Sequence, residues 1–381
     1  RELLASVSAE KIDFVEKAPE AAESKGLMSL FTPTKKYSAA SPLCAAFIYD
    51  ADIEDSRWIN SHEAGRLYVE AVIGGNVKTK SYFTDGDLSA VLEQAVSDKN
   101  EVIFTVSPDM MDEVLKTALH YPKIRFFNCA SGKTSNQVKG YHGKLYEAAF
   151  LLGIYCGHLT LQEGSAKPHR IGYAARNFEN TAVINAFALG VSTMDPACRI
   201  SLHCLHTADE QEADAMREAW KAEGISLYAD IEYPMLCGIR SRPGIYRMED
   251  GKDVYLGRAY FNWGRYYAQI LQAFISGAWN SADLMDTLIV RNYWFGLSTG
   301  VVDILIPDLP YQTRKMLTFF KDDIANGNFD PFTGEIHAQE GIIQAGPESS
   351  RGSFPLDMDK LPLGKVVTMQ WLADNIDGDL V

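Results

Sequence analysis

The chain has no apolar run long enough to span a bilayer. Its longest nearly continuous one, Ala148–Gly157, is ten residues, where a spanning helix needs about 20. Positive charge is also scarce: 36 Lys and Arg stand against 50 Asp and Glu, a formal net charge of −14. A surface that tracks phosphates needs clustered Lys and Arg, and no basic stripe is present, which excludes nucleic acid as the main partner. The six cysteines include no Cys-x-x-Cys pair, and most lie in apolar, strand-like runs such as Arg125–Cys129. They read as buried free thiols, a usage that leans toward a reducing compartment. Gly-x-Ser-x-Gly, His-Glu-x-x-His and Gly-x-Gly-x-x-Gly are all missing, so no familiar catalytic or dinucleotide fingerprint is offered. The chain opens at Arg1 without a start methionine or an apolar signal segment, which reads as a processed or trimmed end.

What is present is 381 residues of ordinary globular composition, enough for two domains of about 100–200 residues each. A mixed lead-in, residues 1–40, is expected to be helical and linker-like. From Pro42 the pattern turns regular. Leu43–Tyr49 is an apolar run, as a strand buried on both faces is. Strands are expected at 78–83, 101–106 and 123–129, with helices at 58–73, 88–97 and 110–120. A long helix over about 141–161 follows. The alternation then restarts with strand 170–175, helix 181–191, strand 199–205, helix 209–222 and strand 226–231. Such alternation predicts an α/β protein with parallel sheets built by right-handed crossovers, here in two similar lobes in series. The expected bounds are 1–40 for the lead-in, 41–167 plus about 255–292 for one lobe, and 168–254 plus about 293–381 for the other. Open sheets of this kind take ligands at the carboxyl ends of their strands.

Several motifs lead nowhere. Ser131-Gly132-Lys133-Thr134 imitates a phosphate loop, but Phe127 stands where that loop needs its first glycine. His203 and His206 lie at a strand end where their side chains diverge, and no further ligands complete a metal set. No metal or cofactor is expected. Residues just after the strands are more informative. Asp55 and Trp58 follow the first strand and open the first helix. Asp55 suits the N-cap region. Trp58, in the first turn, is open between a platform for an aromatic ligand and core packing. Ser107 and Asp109 hold the same place after a later strand, Asp109 either capping the next helix or accepting from a ligand amine.

The segment Asp55–Arg66, reading Asp-Ser-Arg-Trp-Ile-Asn-Ser-His-Glu-Ala-Gly-Arg, resembles the first-lobe signature of the basic membrane protein (BMP) family. These are purine-nucleoside-binding proteins of ABC importers, related in fold to type I periplasmic binding proteins. The match runs on in order. It takes in Val102-Ile103-Phe104-Thr105, Asn136, Val138 and Tyr141 with Tyr146–Gly153 as a crossover helix, Ile171-Gly172-Tyr173 and Asn185–Gly190. It continues through Phe261–Tyr267, Trp294–Leu297, Pro331–Gly334 and Met369–Leu372, covering the chain from about Pro42.

The resemblance implies two hinged Rossmann-like lobes with a purine, adenine- or adenosine-like, in the cleft between them. It puts Trp58 in the place of the first stacking aromatic, beside Asp55, Asn60, Ser107 and Asp109. Arg176, Phe178 and Glu232 fall to the second lobe, and Asn262, Trp263 and Gly296 to the crossover segments. Two positions depart from the pattern. Thr207 stands where a second stacking aromatic is usual, and Gly244–Met248 lacks the carboxylate that holds ribose, so a free base stays open beside a nucleoside. The implied partner is an ABC permease, with the chain a monomeric binding protein rather than an enzyme. The family's place is the outer face of the cell membrane, as a lipoprotein; a cytoplasmic purine sensor is the alternative. A nucleoside hydrolase would need a metal-binding carboxylate cluster near the N-terminus, and Tyr49-Asp50-Ala51-Asp52 is a meagre imitation of one.

Overall fold

A computed structural model describes residues 13–20, 36–130, 137–162, 169–176, 181–206, 210–232, 242–249, 252–279, 291–345 and 360–380. The chain divides into two units. The first runs to Gly143 and adds Asn262–Phe295 and Thr299–Val301; the second holds Lys144–Phe261, Gly296–Ser298 and Val302–Val381.

In the first unit, strands β1 (Asp13–Val15), β2 (Leu43–Tyr49), β3 (Val77–Phe83), β4 (Val102–Thr105), β5 (Arg125–Cys129), β6 (Val138–Gly143) and β12 (Arg291–Phe295) form one sheet. Its order is β1-β12-β6-β5-β4-β2-β3, and every pairing is parallel. Helices α2 (Leu88–Ser97) and α3 (Met111–His120) pack their apolar stripes on one face, against Ala46, Ile48, Ile103 and Phe126. Helices α1 (Arg57–Ile73) and α7 (Trp263–Ile275) lie close together, because Gly65 brings Trp263 in: a Cβ there would be 2.7 Å from the Trp263 Cβ. On that side the strands present a stacked row of rings, Phe47 on Phe104 at 4.9 Å and Phe104 on Phe127 at 5.1 Å.

The second unit's sheet has β7 (Arg170–Ala175), β8 (Arg199–Cys204), β9 (Leu227–Asp230), β10 (Gly244–Glu249), β11 (Lys252–Phe261), β13 (Val302–Leu305) and β14 (Ile376–Asp377), in the order β13-β11-β10-β9-β7-β8-β14. It is mixed. The pairings of β7 with β8 and β9, and of β8 with β14, are parallel, whereas β9-β10-β11-β13 runs antiparallel. The sequence expected parallel sheets throughout; the short connection between β10 and β11 permits only an antiparallel return. Helix α4 (Leu145–Gln162) is buried along nearly its whole length against α5 (Ala182–Met194). Helix α6 (Glu210–Ala222) brings Trp220 against Gly172, where a Cβ would stand 2.7 Å from the indole.

Three expectations are corrected here. Tyr141 is not in a helix but in β6, where parallel pairing with Cys129 on one side and Tyr293 on the other outweighs the helical apolar spacing. Within the lead-in, Asp13–Val15 is strand, paired with β12; the remainder of the helical lead-in expectation falls largely outside the described residues. Helix α4 and strand β11 belong to the second unit rather than the first, because α4 packs on α5 and β11 pairs with β10 and β13.

Candidate functional site

The first sheet reverses its winding at β2: β3 lies on one side of it and β4 on the other. In open α/β sheets such a reversal leaves a crevice at the carboxyl ends, where ligands bind. The segments leaving β2 and β4 carry Asp55, Trp58, Ser107 and Asp109. Ser56, not Asp55, caps α1: its side chain accepts from the Ile59 N–H. Asp55 and Asn60 are exposed. Asp109 is exposed in a short turn, Pro108–Met110, and the following helix begins without a side-chain cap, so capping is not its role. Ser107 is buried beside it.

Trp58 joins the two segments, its indole N–H donating to the Val106 carbonyl at 2.8 Å. The ring is only 3% exposed. It meets His62 edge-on at 4.5 Å and Trp263 edge-on at 5.5 Å, and lies nearly parallel to His142 at 6.1 Å. His142 in turn stacks on Trp294 at 5.0 Å. Of the two readings open for Trp58 from its position, ligand platform or core packing, the structure presents the enclosed ring. The reason is local: His62 sits one helical turn on, and α7 brings Trp263 across. Trp263 is buried, and Asn262 caps α7 by accepting from the Arg265 N–H at 3.3 Å.

His62 is fully buried and anchors a chain of hydroxyls. Its Nδ1 lies 2.5 Å from Tyr267 Oη, which lies 3.0 Å from Tyr141 Oη, and Tyr141 donates to the Thr105 carbonyl at 3.3 Å. Each hydroxyl has one proton. With Tyr141 donating to Thr105, Tyr267 donates to Tyr141 and His62 Nδ1–H donates to Tyr267. The neutral ring therefore carries its bare lone pair on Nε2, a buried atom without a hydrogen bond. Burial first, and the neighbouring His142 second, hold the His62 pKa well below the ordinary histidine value.

The second sheet reverses at β7, with β8 on one side and β9 on the other. At that point Arg176 grips Asp230 with two parallel bonds, Nε to Oδ1 at 2.9 Å and Nη2 to Oδ2 at 2.8 Å. The Arg176 backbone N–H donates to Glu232 Oε2 at 2.7 Å. Arg176 and Glu232 are thus brought together. Phe178 and Thr207 lie outside the described residues, as does Ser131–Thr134. Gly296 packs against Glu147, whose Oε2 accepts the Leu297 N–H at 2.7 Å; a Cβ on Gly296 would lie 2.2 Å from that oxygen. Its lack of a side chain serves this contact.

Sequence reasoning passed over His142 and Asp230, and gave no separate reading to His62, Tyr173 and Trp294, although these three lay inside quoted motifs. Period and spacing mark them as core, and only the sheet order shows that they surround switch points. Among the described residues, no group of three or more His, Cys, Asp or Glu is arranged to hold a metal ion. No helix among them is long and apolar enough to cross a membrane. All five described cysteines are free thiols.

The family model described as ABC transporter substrate-binding protein, PnrA-like, matches residues 43–233. A purine-binding protein of Brucella abortus is 25% identical over 319 residues, covering 80% of this chain and 87% of its own. A protein of Haloferax volcanii, provisionally named an ABC transporter glucose-binding protein, is 24% identical over 310 residues, 78% of this chain and 75% of its own. Among solved structures, a transcriptional activator of the comK gene from Bacillus halodurans aligns with a TM-score of 0.58 at 13% identity, over 76% of this chain and 99% of that one. An ABC transporter solute-binding protein from Conexibacter woesei aligns with a TM-score of 0.50 at 11% identity, over 76% and 98%. These two likenesses concern the fold alone.

Proposed function

The chain belongs to the PnrA-like family of ABC transporter substrate-binding proteins, and on that premise we propose that its ligand is a purine, adenine- or adenosine-like, handed to a permease. The observation that carries the reading is the exposed carboxylate of Asp109 at the first switch point, three residues after Val106, whose carbonyl pins the Trp58 indole. A purine amine donates to such a carboxylate. Asp55, Asn60, Ser107, Asn262 and Trp263 complete the first unit's contribution. Trp58 then acts as a fixed wall, since its N–H is already committed to Val106.

Arg176, Phe178 and Glu232 are the second unit's contribution, and Gly296 serves by admitting Glu147. The Arg176 guanidinium is neutralised by Asp230, so this end favours an uncharged ligand. The name of the Brucella relative supports a purine; that of the Haloferax relative supplies glucose as the competing ligand. The place of action we propose is the extracytoplasmic face of the membrane, with lipid anchoring of the gene product.

Titration calorimetry with adenine, adenosine, inosine, guanosine and glucose tests the reading. One purine is expected to bind at one site per chain, and glucose not to. Binding of glucose alone, or of none of the five, rejects it.

A further inference from the structure

Four positions on neighbouring strands of the first sheet lie side by side. Thr105 of β4 pairs with Asn128 of β5, Asn128 with Gly140 of β6, and Gly140 with Asn292 of β12. Residues in register on parallel strands share a face of the sheet, so the row sets two asparagines on either side of a glycine. Thr105, Asn128 and Asn292 are fully buried. Their surroundings are apolar: two residues back along β4, β5 and β6 stand Ile103, Phe126 and Val138, which belong to the core under α2 and α3. Thr105 Oγ1 donates to Asn128 Oδ1 at 2.5 Å, which draws the Asn128 amide toward β4. Among the described residues its Nδ2 finds no hydrogen bond, and neither end of the Asn292 amide finds one. The Asn292 amide leans over Gly140: a Cβ on that glycine would lie 1.6 Å from Oδ1.

Buried polar groups are nearly always satisfied, and each exception calls for an explanation. Here three ends of two amides stand unsatisfied across one glycine. The strands that carry them are separated by β6, about 9–10 Å apart at two strand spacings. Asn128 is held on the far side by Thr105, so the two amides do not meet, and glycine leaves the space between them free of any side chain. A carboxamide offers donors at one end and an acceptor at the other, so whatever bridges two of them must both donate and accept. A charged ion would meet no counter-charge in this row. Water meets both conditions, and internal waters typically make about three hydrogen bonds to such groups. We propose that Asn128 and Asn292 form, over Gly140, an internal binding site for one water molecule that bridges the two amides. The bridge completes a hydrogen-bonded row from Asn292 to Thr105, the last residue of β4, and ties down the strand end from which Ser107 and Asp109 depart.

Two measurements test the site. In a crystal structure fine enough to show ordered solvent, a density peak is expected within about 3.2 Å of both amides. Direct contact between the amides, or no peak between them, overturns the proposal. In solution, Asn128→Ala and Asn292→Ala are combined in a double-mutant cycle read by midpoints in urea. Side chains that neither touch nor share a partner have additive effects. A shared water makes them non-additive, because either truncation alone already loses the bridge. The midpoint of the double variant is therefore expected to fall by less than the sum of the two single shifts. Additive shifts overturn the proposal. Should a truncated variant fail to fold, the crystal structure of the wild-type protein decides alone.

Discussion

At the scale of single residues, His62 has the largest consequence for pH. Its ring stacks on Trp263 at 4.4 Å, meets Trp58 edge-on and begins the hydroxyl chain through Tyr267 and Tyr141. In the folded protein it stays neutral, its pKa held well below 6.5 by burial and then by His142. The unfolded chain takes up a proton near the ordinary value. Stability is therefore full above that value and is lost as pH falls below it, by up to about 1.4 kcal/mol per pH unit for one such group. His62→Asn keeps a donor for Tyr267 but cannot titrate. Urea unfolding at a series of pH values between about 7.5 and 5.5 should show wild-type stability falling more steeply than that of the variant. Parallel curves would reject His62 as the source. His142, also held low by burial, contributes to the slope that both proteins share.

At the scale of elements, the crossing of α4 and α5 is set by glycines. A Cβ on Gly153 would lie 2.1 Å from the Phe187 carbonyl oxygen, and one on Gly190 would lie 2.2 Å from that of Phe150. Both obstacles are backbone and cannot swing aside. Gly153→Ala is expected to lower stability by about 1–3 kcal/mol, the cost of overpacking a close contact, read as a lower midpoint in urea with an unchanged slope. An unchanged midpoint would show that the helices can part at no cost. These glycines were visible in the sequence as part of an apolar run, but their reason was not, because the contact partners stand more than thirty residues away. Strand β6 shows the complementary failure. Val138–Gly143 has spacing compatible with a helix, and only its two neighbours in the sheet make it a strand.

At the scale of the whole molecule, two units each carry an open sheet with its own reversal point, one furnished with Trp58, Ser107 and Asp109 and the other with Arg176, Asp230 and Glu232. The chain passes from one unit to the other at Gly143/Lys144, at Phe261/Asn262 and within Phe295–Val302. A ligand that binds only the folded protein stabilises it by mass action, by about 2.7 kcal/mol at a concentration 100-fold over its Kd. The purine identified by calorimetry should thus raise the melting temperature in proportion to the logarithm of its concentration. A bound purine that leaves the melting temperature unmoved would mean that it binds the unfolded chain equally well, which is incompatible with a site built from both β2 and β4.

The sequence by itself determined the α/β class, the strands Leu43–Tyr49 and Arg170–Ala175, and the family, because apolar runs and ordered motifs are local in the chain. It also identified Trp58 and Asp109 as residues that follow strands. Only the tertiary structure decided that the Trp58 ring is enclosed by His62, His142 and Trp263, that Ser56 rather than Asp55 is the cap, and that Arg176 is answered by Asp230. The first and last of those facts depend on residues far apart in sequence meeting in space, and one-dimensional spacing carries no record of who the partner is; the cap is local, but Asp55 and Ser56 are both good capping residues and only the backbone geometry at Ser56 decides between them.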